Sequence, residues 1–239
     1  TQNIWNGLRY KVFFDWNTDI SKEKNSTGKY NFNWGFDLRY YYPIYRNFIW
    51  AGRAAGDFSW GNQKTIYYLG GVDGWLMFGG NTRNDGSYRF FNENNKPDQD
   101  VEYAYQSLAL NLRGFTQNVA NGNNAVTINS EFRLPVWTTF FSRPINNAFV
   151  RNFQLTQFID LGTAWNGAYK GIGRPSSIYG IPPVQIKSKV GGIGPFAGGY
   201  GFGVRSMLLG YFVKFDMGWP MNGLFRGTPM KYISLGLDF

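Results

Sequence analysis

The amino-acid sequence predicts an all-β chain, a transmembrane antiparallel β-barrel of the outer-membrane type with about eight strands present. Three observations carry that expectation. Apolar and polar residues alternate with a period of two through much of the chain, which places successive side chains on opposite faces of a strand. Aromatic residues make up 20% of the 239 residues and glycine supplies 31, yet mean hydropathy lies below zero. A sheet that meets lipid on one face and water on the other needs both many rings and many polar groups. Finally, the connections between alternating segments are short and long in turn.

The alternation can be followed segment by segment. Over 4–18, Leu8, Tyr10, Val12, Phe14 and Trp16 oppose Arg9, Lys11, Asp15 and Asn17. Over 30–44, the run Tyr30, Phe32, Trp34, Phe36, Leu38, Tyr40, Tyr42 and Ile44 is backed by Asn31, Asn33, Gly35, Asp37 and Arg39, longer than most strands of soluble proteins. Over 47–60, Phe48, Trp50, Phe58 and Trp60 oppose Arg53 and Asp57. Over 124–136, Val126, Ile128, Phe132, Leu134 and Val136 alternate with Thr127, Asn129, Glu131 and Arg133. Over 151–161, Phe153, Leu155, Ile159 and Leu161 alternate with Asn152, Gln154, Thr156 and Asp160. Over 200–208, Tyr200, Phe202, Val204 and Leu208 oppose Gly201, Gly203 and Arg205. Over 211–219, Tyr211, Val213, Phe215, Met217 and Trp219 oppose Lys214, Asp216 and Gly218. The last segment, 231–239, sets Ile233, Leu235, Leu237 and Phe239 against Tyr232, Ser234, Gly236 and Asp238. No segment shows a helical period.

Links at 43–47 and at Leu209-Gly210 are short and 137–150 is of middling length, whereas 19–29, 62–123, 166–199 and 220–230 are longer. Outer-membrane barrels alternate short periplasmic turns with long external loops. Across these strand cores the charged residues fall on the polar phase. A charge on a lipid-facing phase near mid-bilayer costs roughly 2–4 kcal/mol. Trp16, Tyr42, Trp60, Trp137, Trp165 and Trp219 sit near strand ends, where interfacial aromatic girdles lie.

Composition also excludes function classes. With no cysteine and no histidine, disulfides, thiolate metal sites, a Ser-His-Asp triad and histidine-ligated zinc are out of reach. No cofactor is expected. The formal charge of +9 raises nucleic acid as a partner, but the basic residues are scattered and no Lys/Arg run is interleaved with stacking rings. Lipid and lipopolysaccharide phosphates are the better-matched counter-charge, and nucleic acid is not expected. No run of about 18 apolar residues forms a transmembrane helix. Thr1 opens almost directly onto a strand with no signal peptide, so the sequence is expected to begin downstream of its true start.

The 62–123 connection is too long for a passive link. It holds Tyr67-Tyr68-Leu69-Gly70-Gly71, a polar, disorder-like stretch at 81–100, then Leu110-Asn111-Leu112-Arg113-Gly114-Phe115. Leu112-Arg113-Gly114-Phe115, about five strands before an aromatic C-terminus, resembles the signature of the BamA/TamA superfamily of outer-membrane assembly and translocation barrels. Glu131 in Glu-Phe-Arg-Leu-Pro and Asp160 in Phe-Ile-Asp-Leu-Gly resemble the acidic positions of the family's next two strands. Gly201 to Arg205 and the terminus, with Tyr232, Leu237 and Phe239, resemble its closing strands; Ser234 stands where glycine is often found. The resemblance covers most of 62–239.

The resemblance implies that the long loop folds into the barrel lumen and that Arg113 pairs with Glu131 and Asp160 on the inner wall. The alternation independently puts both acids on the polar phase of adjacent strands. A guanidinium fork binds carboxylates bidentately, and Gly114 lets the backbone turn tightly beside a wall. The family barrel has about sixteen strands and carries soluble periplasmic domains, so the chain is expected to be a single barrel domain, 1–239, forming about half of the wall. A narrow eight-stranded barrel is filled by its own side chains and has little room for so long a loop. The implied function is help in inserting or translocating proteins at the bacterial outer membrane, with client polypeptides or other proteins as partners. The alternative is a scaffold barrel that anchors a domain or docks partner proteins. The 166–199 link, with Lys170, Arg174, Lys187 and Lys189 and no acid, could meet lipopolysaccharide phosphates or an acidic partner. An enzyme is not expected: Glu131 and Asp160 beside an arginine are poor general acids.

Overall fold

A computed structural model describes residues 4–19, 28–108, 111–169, 171, 173–179 and 183–236. In chain order the first strands are β1 (Gly7–Thr18), β2 (Tyr30–Tyr45), β3 (Phe48–Gly61), β4 (Lys64–Leu69), β5 (Tyr103–Leu108), β6 (Ala120–Gly122) and β7 (Asn124–Pro135). Two short helices follow, α1 (Val136–Phe140) and α2 (Ala148–Arg151). The remaining strands are β8 (Gln154–Trp165), β9 (Ser176–Tyr179), β10 (Ile186–Lys189), β11 (Gly192–Ile193), β12 (Phe196–Leu208), β13 (Tyr211–Pro220) and β14 (Met230–Leu235).

The eight alternating segments form one antiparallel sheet in the order β1-β2-β3-β7-β8-β12-β13-β14, with β11 attached to β12. Each strand pairs with its predecessor among the eight, so the path never crosses itself. Register puts Arg9 opposite Arg39, Arg39 opposite Arg53, Arg53 opposite Asn129 and Asn129 opposite Asp160. The polar phase of each strand therefore continues into that of its neighbour, although small or aromatic residues share it, as where Glu131 lies opposite Ala51 and Phe158. The sheet is open: β1 and β14 are its two ends and do not pair with each other.

The two faces are inverted relative to a water-soluble β-sandwich, which buries its apolar face. On β1, Leu8, Tyr10 and Val12 are 65%, 71% and 68% exposed. On β8, Leu155 and Ile159 are exposed while Gln154, Thr156 and Asp160 are buried. The same holds on β7, with Ile128 and Phe132 exposed and Thr127, Asn129, Glu131 and Arg133 buried. One cation departs from the polar phase. Lys231, near the start of β14 and opposite Met217, lies on the apolar side and is exposed.

The 62–123 connection covers the polar face, and it is not a bare loop. Within it β4 pairs in parallel with β5 and antiparallel with β6. Tyr67, Leu69, Leu112, Phe115, Val119 and Ala120 from this segment pack with Ala125 of β7, with Ala197 of β12 and with Val190, which follows β10. Small wall residues make room for them. A Cβ on Gly199 would collide with the carbonyl oxygen of Arg113, and one on Gly218 would come within 2.6 Å of the Gly114 nitrogen.

The stretch 81–100, disorder-like by composition, is tied down by amide side chains. The Asn81 side chain accepts from the Phe90 and Phe91 N–H groups at 3.0 and 2.9 Å. Asn95 donates to the Asn118 and Val119 carbonyls, and Asn118 donates back to the Asn92 and Asn95 carbonyls at 2.7 and 2.8 Å. Two further features differ from expectation. The 137–150 turn is bracketed by α1 and α2, which take Val136 and Arg151 from the neighbouring alternating segments and are too short at five and four residues to leave a helical period in the sequence. The 166–199 link folds in part as the β9–β10 hairpin. Leu237 and Phe239 of the terminal signal lie outside the described residues, as does Lys170.

Gly199→Val should therefore unseat the loop. An added side chain at this contact is expected to cost about 1–3 kcal/mol and to open 62–123 to proteases. Limited proteolysis and denaturant unfolding of the variant measure both effects; wild-type resistance in both would mean that the loop does not rest on β12.

Candidate functional site

The loop and the wall meet at one charged cluster. Arg113 is 4% exposed, and its guanidinium forks onto Asp160: Nε donates to Oδ2 at 2.7 Å and Nη2 to Oδ1 at 2.9 Å. Its backbone N–H adds a third bond to Asp160 Oδ2 at 3.1 Å. Nη1 donates to Glu131 Oε2 at 2.8 Å and lies 3.7 Å from Asp216 Oδ2. The guanidinium also stacks over the Phe158 ring, 3.6 Å from its centroid, a geometry in which the ring quadrupole favours the cation.

The sheet supplies these partners from β7, β8 and β13 because period two sends Glu131, Phe158, Asp160 and Asp216 to the same face. Glu131 is fully buried and also accepts from Arg133 Nε and Arg205 Nη2, each at 2.6 Å. Three buried arginines (Arg113, Arg133, Arg205) thus face three buried carboxylates (Glu131, Asp160, Asp216). Asn129 donates to Asp160 Oδ1 at 2.9 Å and to the Asn111 carbonyl at 3.0 Å, tying wall and loop together again. Burial opposes the charge on Arg113, but Asp160 and Glu131 outweigh it and hold the guanidinium pKa well above its ordinary value.

Gly114 and Phe115 are fixed from the far end of the chain. The Gly114 N–H donates to Tyr232 Oη at 2.9 Å, and the Tyr232 hydroxyl donates to the Phe115 carbonyl at 2.7 Å. Gly114 has φ of 99° and sits where a Cβ would be 2.8 Å from the Trp219 carbonyl oxygen. Both the left-handed backbone and the close approach demand glycine. Leu112 is wholly buried and Phe115 nearly so, in the apolar cluster beside the charges.

Of the residues singled out in the sequence, Leu112, Arg113, Gly114, Phe115, Glu131, Asp160 and Tyr232 thus come together at one place. Leu237 and Phe239 lie outside the described residues. Sequence reasoning missed Arg133, Arg205, Asp216 and Asn129 as members of the cluster, although each lies on the polar phase. It also took Tyr232 for a terminal-strand residue rather than a clasp on the loop. The signal available for Tyr232 was an aromatic ring on a phase otherwise small or polar.

The four carboxylate oxygens of Glu131 and Asp160 accept from guanidinium, amide and backbone donors, whereas Asp216 Oδ1, buried beside them, has no hydrogen-bond partner among the described residues. The cavity beside Arg113, bordered by Val72, Asp73, Arg205, Lys214 and Asp216, is about 20 Å³, room for about one water. Among the described residues no three histidine, cysteine or carboxylate side chains are grouped to hold a metal ion. No family model matches the chain, and no curated protein matches it in sequence.

Removing one partner from a buried charged group costs about 3–5 kcal/mol. Arg113→Ala is expected to lose that much, and Arg113→Lys to recover little, since an ammonium cannot make the planar fork. Tyr232→Phe leaves two backbone groups unpaired and should cost about 1–3 kcal/mol. Unfolding midpoints of the three variants check the ranking; a wild-type midpoint for Arg113→Ala would remove the cluster from any structural role.

Proposed function

We propose that the chain forms part of the wall of a BamA/TamA-like outer-membrane β-barrel, with 62–123 as its lumenal loop, and that this barrel assists the insertion or translocation of other polypeptides. The observation that carries the reading is the buried fork of Arg113 on Asp160 with Glu131 beside it. A loop arginine seated on acids of two neighbouring strands is the arrangement that the resemblance implies. A passive pore would have no use for such a plug.

The exposed apolar face supports the membrane setting. Rows of aliphatic and aromatic side chains on every strand suit acyl chains, while the charges lie on the other face. Lys231 fits as a strand-end cation reaching the headgroups. The open sheet favours a wider barrel, since the outer edge of β1 has no strand partner among the described residues. The exposed Lys187 and Lys189 of the β9–β10 hairpin favour contact with lipopolysaccharide phosphates. They equally favour the second reading, a scaffold barrel that docks an acidic partner protein.

Depleting the protein from its bacterium should lower the amounts of other outer-membrane barrels or of surface-delivered proteins, measured by quantitative proteomics of the outer-membrane fraction. Unchanged amounts of all of them would leave the scaffold reading in its place. The membrane setting has its own test. Ile159→Arg places a charge on the apolar face at a cost of roughly 2–4 kcal/mol and should reduce recovery of folded protein from membranes, whereas Thr156→Ser on the opposite face should not.

A further inference from the structure

The long links of the chain meet over the Arg113 segment and enclose a second, larger cavity there. It measures about 510 Å³, within the range of roughly 300–1,000 Å³ over which small-molecule sites fall. Gly114, Phe115 and Thr116, the three residues that follow Arg113, line it from below. Its walls come from 83–94, from the β9–β10 hairpin with the residues just after it, and from the 220–230 link. The walls are fastened to one another and to the sheet. Asn94 Nδ2 donates to the Ile178 carbonyl at 3.3 Å, and the Gly192 N–H donates to the Met221 carbonyl at 3.0 Å.

We propose that this cavity binds a short saccharide carrying a phosphate or carboxylate group. Arg83 and Lys189 line it, are exposed, and form no ion pair among the described residues. Asp85 is the one acid of the lining, and its Oδ1 accepts from the Ser87 N–H and hydroxyl at 2.9 and 2.6 Å. Two cations against one carboxylate favour an oxyanion, which a guanidinium and an ammonium bind through charge-assisted bonds. A bare anion gains nothing from Asp85, whereas a sugar hydroxyl can donate to it. Asn92 adds a donor. It is 6% exposed, its Oδ1 accepts the Asn94 N–H at 3.1 Å, and its side-chain nitrogen has no hydrogen-bond partner among the described residues. An unpaired amide donor in a buried side chain is uncommon, and a ligand oxygen would satisfy it. Phe115, Val119 and Val190 reach the cavity from the apolar cluster and suit the C–H faces of sugar rings.

Occupancy and loop seating are linked. The lower lining exists only while Arg113 is forked onto Asp160 and Tyr232 holds Gly114, so the ligand binds the seated loop and not a lifted one. A ligand that binds one state alone stabilises that state by mass action. On the barrel reading all three walls belong to long external links, so the cavity lies at the outer surface. Two sources then carry the same chemistry: phosphorylated core sugars of lipopolysaccharide and acidic polysaccharides outside the cell. Only the choice between these sources rests on the membrane setting.

Calorimetric titration of the purified, folded protein in detergent tests the site. The probes are the lipid-free phosphorylated core oligosaccharide of lipopolysaccharide, an oligogalacturonate, and inorganic phosphate. At least one oligosaccharide should bind about tenfold or more tighter than inorganic phosphate, and the tighter of the two identifies the source. Arg83→Gln with Lys189→Gln removes two charge-assisted contacts at exposed positions and should weaken that binding about tenfold or more. Asn92→Asp keeps the acceptor for the Asn94 N–H, replaces the free donor with a carboxylate, and should weaken binding as much. Saturating oligosaccharide should also slow proteolysis within 62–123, and Gly199→Val, which unseats the loop, should bind it about tenfold or more weakly. Inorganic phosphate binding as tightly as both oligosaccharides, no binding of either, or wild-type affinity in the Arg83–Lys189 double variant or in folded Asn92→Asp would overturn the proposal. Should Asn92→Asp fail to fold, the double variant decides. Wild-type affinity in Gly199→Val would overturn the link to the loop. None of these measurements involves client polypeptides, so failure of the assembly reading leaves the site standing, and absence of saccharide binding leaves that reading standing.

Discussion

A guanidinium carried by a loop and carboxylates carried by strands set the terms for this structure. Arg113 cannot be left in a dry interior without Asp160 and Glu131, nor they without it, because each would be an uncompensated buried charge. Arg133 and Arg205 bind the other side of Glu131, so the cluster is shared among β7, β8, β12 and the loop. Such a cluster adds little net stability relative to apolar packing, since desolvation offsets most of the attraction. What it adds is position, because the planar fork accepts only one orientation of the loop.

Everything around the cluster serves that seating. The polar face of the sheet would face solvent were the 62–123 segment not laid over it, and the segment can approach only where side chains are missing. Gly199 and Gly218 on the wall and Gly114 on the loop bring the two backbones together. Leu69, Leu112 and Phe115 then fill the space against Ala125 and Ala197. The apolar cluster is small and belongs to the loop as much as to the sheet. The rows of rings and aliphatic chains on the other face of the sheet contribute nothing to it and stay exposed.

The eight wall strands are legible in the sequence because each repeats a two-residue period with charges held to one phase, and a single slip of register would reverse it. Arg113, Glu131 and Asp160 are legible because a resemblance marked the loop and the phase marked the acids. The rest is hidden for physical reasons. Asn92 and Asn95 fall in the stretch read as disorder-like, because an amide bonded to a distant backbone carbonyl leaves no pattern along the chain. The strands inside 62–123 are short, and β4 finds its partners β5 and β6 far along the chain. Tyr232 is missed as a clasp because the groups it holds lie more than a hundred positions upstream.

Those separations give the cluster a chronology. The partners of the Leu-Arg-Gly-Phe segment lie at increasing distances along the chain: Glu131 is 18 residues from Arg113, Asp160 is 47, and Tyr232 is 118 from Gly114. A chain delivered from its amino end gains these partners one at a time, and each later contact closes a larger loop at a slightly greater entropic cost. The hydroxyl of Tyr232 arrives last and clasps the Gly114 N–H and the Phe115 carbonyl. The seated loop is therefore a record of completion: it can be fully fastened only after the last strand of the sheet is in place.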